Sequence, residues 1–161
     1  MVPARADRFN ILHTVGPSHV TPDQILLVRA SWPAIASDGD AVTTRFYAHL
    51  FEIDESAARL FAGVDMAAQR AKLAQALAVV VKALDDPDCL LPAIAALGKR
   101  HTTYGAELRH FESVGAALLL ALGDALGDAL TAELREAWAD AYALVASVMR
   151  RAIIRSREAV A

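Results

Sequence analysis

The residue best placed to do chemistry in this chain is His101, in the stretch Leu97-Gly98-Lys99-Arg100-His101-Thr102-Thr103-Tyr104-Gly105. Leu90, Ile94, Leu97 and His101 recur at steps of four, three and four, which places them on one side of a helix. Three of these side chains gain by leaving water. The imidazole that closes the row needs a partner in such a setting. Two readings are open from the spacing: a core histidine bonded to a backbone carbonyl, or an axial ligand offered to a haem iron from the wall of an apolar crevice. Tyr47 and Gln69 pose the same question more weakly. Taken alone, the phenol reads as a structural residue with its hydroxyl at a boundary, and the amide as a solvated helix residue.

Composition narrows the setting for this chemistry. The chain has 161 residues, 55% of them apolar, a formal net charge of −3 and one cysteine. That length suits one domain with a real core. Abundant Ala and Leu with scarce Gly and Pro favour helix over sheet. The acidic balance offers no footprint for nucleic acid and argues against attachment to acidic lipid. Cys89 stands alone, so an internal disulfide and a multi-thiolate metal site are excluded, and a reducing compartment fits. The apolar run around Leu77 to Val81 is cut by Lys72, Gln75 and Lys82, well short of a membrane span. Residues 1–20 carry Pro3, Arg5, Asp7, Arg8, Asn10 and Pro17 and lack a signal-peptide core, so a cytoplasmic location is expected.

The elements that must position His101 can be marked from caps and periodicity. Residues 1–20 read as an irregular extension in which Phe9, Ile11 and Leu12 can dock on the domain surface. Thr21-Pro22 starts a helix whose stripe is Ile25, Val28 and Trp32, with Pro33 expected to bend or end it. A second helix is expected from Asp38 to Phe51, with Val42, Phe46, His49 and Leu50 near one face and Tyr47 beside them. A short polar turn leads to Leu60-Phe61, and Asp65 caps a long helix over Met66 to Leu84 that carries Gln69, Leu73 and Leu77. Asp85-Asp86-Pro87 stops that helix, and the helix carrying His101 is expected to be short, ended by Tyr104-Gly105. Leu108 to Leu126 and a last helix capped by Thr131 follow, the latter with a stripe of Leu134, Trp138, Tyr142, Val145 and Met149. Arg150, Arg151, Arg155 and Arg157 sit near its end, where the helix dipole favours positive charge. Six or more helices of unequal length predict an all-α, crossed-helix fold rather than a uniform four-helix bundle.

So arranged, the chain resembles the globin family, and is most similar to bacterial single-domain haemoglobins and the haem domain of flavohaemoglobins. The resemblance runs from Thr21 to about Ala152 and rests on residues in order. They are Trp32-Pro33, Arg45-Phe46-Tyr47, Leu60-Phe61, Gln69 with Leu73, His101-Thr-Thr-Tyr104-Gly105, His110-Phe111 with Val114-Gly115, and Ala137-Trp138 with Tyr142. It implies a globin fold, with residues 21–157 as the domain, residues 1–20 as an extension and residues 158–161 as a tail. It also implies noncovalent haem b, since no Cys-x-x-Cys-His attachment signature is present.

Carried over by resemblance, His101 is the proximal iron ligand and Phe61 packs against the porphyrin. Tyr47, Gln69 and Leu73 form the distal wall, with Tyr47 and Gln69 facing a gas ligand. Leu97, Tyr104 and Phe111 complete the cofactor lining, and Lys72 is the candidate for a haem propionate, ahead of Arg70 and Arg100. The implied function is reversible binding of O₂, with CO and NO as further ligands, for oxygen delivery or gas sensing.

Two departures bear on the alternatives. Flavohaemoglobins that oxidise nitric oxide back their proximal histidine with a tyrosine and a glutamate, and the matching positions here are Phe111 and Ile153, which cannot accept a hydrogen bond. No reductase is present within these residues either. An alternative reading is therefore a nitric oxide dioxygenase, or a peroxidase-like enzyme, served by a separate reductase. The other is a haem-free globin fold acting as a regulatory module.

Overall fold

Most helices begin where a side chain supplies the cap. The computed structural model describes residues 19–161, so the expected extension, with Phe9, Ile11 and Leu12, lies outside the described residues but for its last two positions. Thr21 opens α1 (Pro22–Ala36) with a reciprocal pair. Its hydroxyl accepts from the Gln24 N–H at 3.2 Å, and the Gln24 amide oxygen accepts from the Thr21 N–H at 2.9 Å. Asp54 caps α3 (Glu55–Leu60), Asp65 caps α4 (Met66–Ala83), Asp86 caps α5 (Pro87–Thr103) and Thr131 caps α7 (Ala132–Glu158). Two helices, α2 (Gly39–Ile53) and α6 (His110–Leu126), start without a side-chain cap. A 3₁₀ turn at Gly127–Ala129 joins α6 to α7, and Gly127 takes φ +52°, which glycine tolerates best. No strand occurs among the described residues, and no helix there is long and apolar enough to cross a membrane.

One helix departs from expectation, and at Pro33, where a bend or an end is expected, the helix does not end. Pro33 lies inside α1, which continues to Ala36. The hydrogen bond it forgoes falls near the end of the helix, where burial of Ile35 at 2% exposure holds the turn in place. The helix carrying His101 is long rather than short, at 17 residues. Pro87 occupies its first turn, where a missing N–H costs nothing, so the motif that stops α4 also launches α5. Leu90 and Ile94, at 1% and 2% exposure, anchor α5 on both sides of Pro92.

The helices cross rather than run as a bundle. Contact is most extensive between α5 and α7 and between α2 and α6, while α4 meets α5 only sparsely. The first of these contacts needs Gly98, where an added Cβ would lie 2.9 Å from the Met149 carbonyl oxygen and 3.1 Å from Ala152 Cβ. The joint between α6 and α7 needs Gly115, where a Cβ would fall 2.6 Å from Tyr142 Cε1. Tyr142 leans into that space and donates its hydroxyl to the Phe111 carbonyl. Trp138, at 3% exposure, ties α7 back to α1 through Nε1 donating to Ser31 Oγ at 3.0 Å.

Gly115→Ala should therefore destabilise the protein by about 1–3 kcal/mol, as overpacking does. Gly123→Ala is the control, since its Cβ would meet only Leu130 at 3.9 Å and should gain about 0.5–1 kcal/mol from helix propensity. Urea denaturation of the two variants beside the wild type checks the opposite signs.

Candidate functional site

His101 occupies the last turn of α5, half-buried, with Nδ1 2.9 Å from the Leu97 carbonyl oxygen. A carbonyl can only accept, so Nδ1 carries the proton and Nε2 keeps its lone pair. Burial depresses the imidazole pKa against the opposing pull of that hydrogen bond, and nearby Arg100 adds to the depression. A neutral ring with one free nitrogen is what a metal ligand requires. No group of three or more His, Cys, Asp or Glu side chains able to hold a metal ion occurs among the described residues. One nitrogen does not hold a bare ion, but it suffices for a metal whose other positions a macrocycle already fills. The donor set thus fits haem.

A second wall is built by α2, α3 and α4. Tyr47, 6% exposed on α2, accepts at Oη a hydrogen bond from Gln69 Nε2 on α4 at 3.1 Å. With its oxygen so engaged, the phenol still has its own proton to donate, and no acceptor takes that proton among the described residues. Burial raises the Tyr47 pKa, only partly offset by Gln69, so the hydroxyl stays neutral and remains a donor. Phe46 and Phe61 pack edge-on against the Tyr47 ring at centroid distances of 4.9 and 5.3 Å, and Phe51 lies at 5.8 Å. Caging of this kind fixes the direction in which the hydroxyl points. Leu73 follows Gln69 by one turn on α4 and, like Phe61 and Leu97, is half-buried. Contact between α4 and α5 is sparse.

The remaining expected residues are placed as follows. Leu97 supplies the carbonyl that orients His101. Tyr104 meets the imidazole edge-on at 5.7 Å between centroids and is 61% exposed. Lys72 is exposed on α4, Arg100 is exposed on α5, and Arg70 is paired with Asp40 at 2.9 Å. Phe111 is buried, with the Arg150 guanidinium 5.5 Å over its ring, and Ile153 is fully buried. Arg150 donates to the Leu108 carbonyl at 3.3 Å and leaves its buried Nε unpartnered. The partner of His101 is thus a neutral carbonyl rather than a carboxylate, which leaves the imidazole less electron-rich.

Sequence reasoning missed a polar network at the corner of α2 and α3. The Glu107 N–H donates to His110 Nδ1 at 3.0 Å, so the His110 proton sits on Nε2 and faces Ser56 Oγ at 3.1 Å. Ser56 Oγ in turn donates to Asp54 Oδ1 at 2.5 Å, and Ser113 Oγ donates to Asp54 Oδ2 at 2.7 Å. Asp54 as a helix cap was open to detection from Asp-Glu-Ser-Ala; its link to α6, 54 residues from Ser56 to His110, was not. The network fastens α3, and so the approach to Phe61, onto α6.

These bonds hold the Asp54 pKa at about 2, with Ser56 the largest contributor, then Ser113, against opposing burial. A depressed carboxylate pKa stabilises the fold above its unfolded value and stops doing so as pH falls through the folded value. Asp54→Asn should cost about 2 kcal/mol at pH 7, as loss of hydrogen bonds to a charged group does. The difference from wild type should shrink as pH falls from about 4 to about 2. Urea denaturation across that range measures both.

The Globin family model matches residues 44–149. A flavohemoprotein of Rhodopirellula baltica is 32% identical over 126 residues, covering 77% of this chain and 31% of its own. A Bordetella parapertussis flavohemoprotein is 33% identical over 132 residues, covering 81% of this chain and 33% of its own. This chain thus spans about a third of the length of the curated relatives it matches. Among solved structures, an engineered carbene transferase from Rhodothermus marinus superposes with a TM-score of 0.80 at 27% identity, covering 88% of this chain and 99% of that one. A bacterial globin from Campylobacter jejuni superposes with a TM-score of 0.76 at 21% identity, covering 86% and 99%, and shares the fold.

Proposed function

This chain belongs to the globin family, and on that footing we propose that it holds one haem b noncovalently and binds O₂ reversibly, with CO and NO as further ligands. The observation that carries the reading is the Gln69-to-Tyr47 hydrogen bond, which leaves a buried, neutral phenol with a proton to donate. When bound, the haem supplies a ferrous centre at which a diatomic gas is held and polarised. His101 Nε2 is the protein's ligand to that centre, kept in the right tautomer by the Leu97 carbonyl. Phe61, Leu97, Tyr104 and Phe111 line the cofactor, and Lys72 reaches a propionate. Tyr47 donates to the polarised end of the gas, and Gln69, by donating to Tyr47 Oη, makes that phenol a stronger donor. Leu73 excludes water, which protects the ferrous state.

Oxygen delivery or gas sensing in the cytoplasm fits these properties. A second reading, nitric oxide dioxygenase activity with electrons from a separate reductase, draws support from the flavohemoprotein relatives. The neutral carbonyl behind His101 ranks it below gas binding, because activation of an O–O bond benefits from an electron-rich imidazole. A haem-free regulatory role ranks last, since His101 keeps a free nitrogen. A Soret band in freshly purified protein, and its ferrous O₂ and CO spectra, test the haem reading directly.

His101→Gly should abolish stable haem retention, and added imidazole should restore it in part by taking the ligand position. Unchanged haem content and an unchanged ferrous spectrum would remove His101 as the ligand.

Tyr47→Phe should lose about 1.5–3 kcal/mol of hydrogen bonding to a partly charged oxygen. O₂ release should then quicken by roughly ten- to a hundredfold. CO is less polar once bound, so its release should change far less. Gln69→Leu should show the same pattern more weakly, and the double mutant should be less than additive because the two side chains form one pair. Stopped-flow dissociation of both gases is the measurement, and equal acceleration of O₂ and CO would return Tyr47 to the structural core.

A further inference from the structure

Arg150 on α7 is a half-buried cation that no carboxylate pairs with among the described residues, whereas Arg29, Arg59, Arg70 and Arg109 each have such a partner. Its guanidinium stands 5.5 Å over the Phe111 ring and donates to the Leu108 carbonyl at 3.3 Å. Its buried Nε has no hydrogen-bond partner among those residues. A charge held in this way lowers stability, and an apolar side chain of similar size would do as well or better for the scaffold. The charge is also felt by a neighbour. Burial raises the Tyr142 pKa, and Arg150 draws it part of the way back. Tyr142 in turn donates to the Phe111 carbonyl, so both groups under the influence of Arg150 meet at the start of α6.

The placement of this charge gives it a use. Under the reading above, Phe111 lines the cofactor and His101 holds the iron, with the uncharged Leu97 carbonyl setting the tautomer. Phe111 is 7% exposed, so little water screens a charge resting on its ring. The ring keeps the guanidinium itself out of the site while the field of the cation passes through it. We propose that Arg150 sets the redox balance of the haem, its charge behind Phe111 favouring the ferrous over the ferric state and so keeping the protein competent to bind gas. The proposal rests on the haem reading above. A ferric centre carries one positive charge more than a ferrous one, so a fixed cation nearby raises the energy of the ferric state more. A unit charge acting over ~10–15 Å at an effective dielectric of about 20 shifts an equilibrium roughly six- to sixteenfold.

Spectroelectrochemical titration of the haem-loaded protein, with an electrode as the electron source, tests this. Arg150→Met keeps the stem and removes the charge, and Arg150→Lys keeps the charge. Arg151→Met removes the same charge from an exposed position on the same helix and is the control. At the potential where the wild type is half reduced, the ferrous-to-ferric ratio should fall roughly six- to sixteenfold in Arg150→Met. At 59 mV per tenfold that is a midpoint lower by about 45–70 mV. The ratio should stay within twofold of wild type in Arg150→Lys and in Arg151→Met. A purely structural role for Arg150 would leave the midpoint where it is. If Arg150→Met does not retain haem, Arg150→Gln carries the same test with a hydrogen-bonding end, and loss of haem from both overturns the proposal. A ratio within twofold of wild type in the uncharged variant overturns it too, as does an equal fall in Arg150→Lys or in Arg151→Met. In those cases the wild type still shows its Soret band and the gas-binding reading stands. A wild type without that band overturns the gas-binding reading itself and the role of Arg150 with it.

Discussion

The close approach of α5 to α7 at Gly98 governs much of the rest, because a helix that must lie against Met149 and Ala152 cannot also close against α4. His101 follows Gly98 by three residues on the same helix, so the backbone contact that glycine permits also sets the height and rotation of the imidazole. Leu97, beside Gly98, supplies the carbonyl that selects the tautomer. A packing constraint and a protonation state are thus established within one turn of one helix. The sparse contact of α4 with α5 is the complementary consequence.

The site also depends on charge being kept out. His101 and Tyr47 are both shifted by burial toward their neutral forms, from opposite directions, since burial lowers an imidazole pKa and raises that of a phenol. The result is one free lone pair on His101 and one free hydroxyl proton on Tyr47, with the Gln69 amide beside the latter. Among the described residues, the Arg29–Asp85 ion pair at 2.6 Å joins α1 to the turn after α4, and the Arg70–Asp40 pair at 2.9 Å joins α4 to the start of α2. The corner network of Asp54, Ser56, Ser113 and His110 is ionic in part, but it serves the scaffold by fastening α3 to α6.

What the chain revealed before folding is what depends on near neighbours. The caps at Thr21, Asp65 and Thr131, the turn at Gly105 with φ +80° and the row from Leu90 to His101 are all set within a few residues, so spacing and residue type sufficed to place them. The all-α class and the likeness to globins followed from these local features in their order. Where local rules pointed the wrong way, in the length of α5, burial of Leu90 and Ile94 outweighed the hydrogen bond lost at Pro92, and burial is a property of the whole fold. The same holds for the pairing of Gln69 with Tyr47, 22 residues away, and of Ser56 with His110, 54 residues away. Periodicity gives the face a residue occupies but not what stands opposite it. That is decided only when helices cross, because the distance between two side chains then depends on how near the small residues at the crossing, Gly98 and Gly115, let the backbones come.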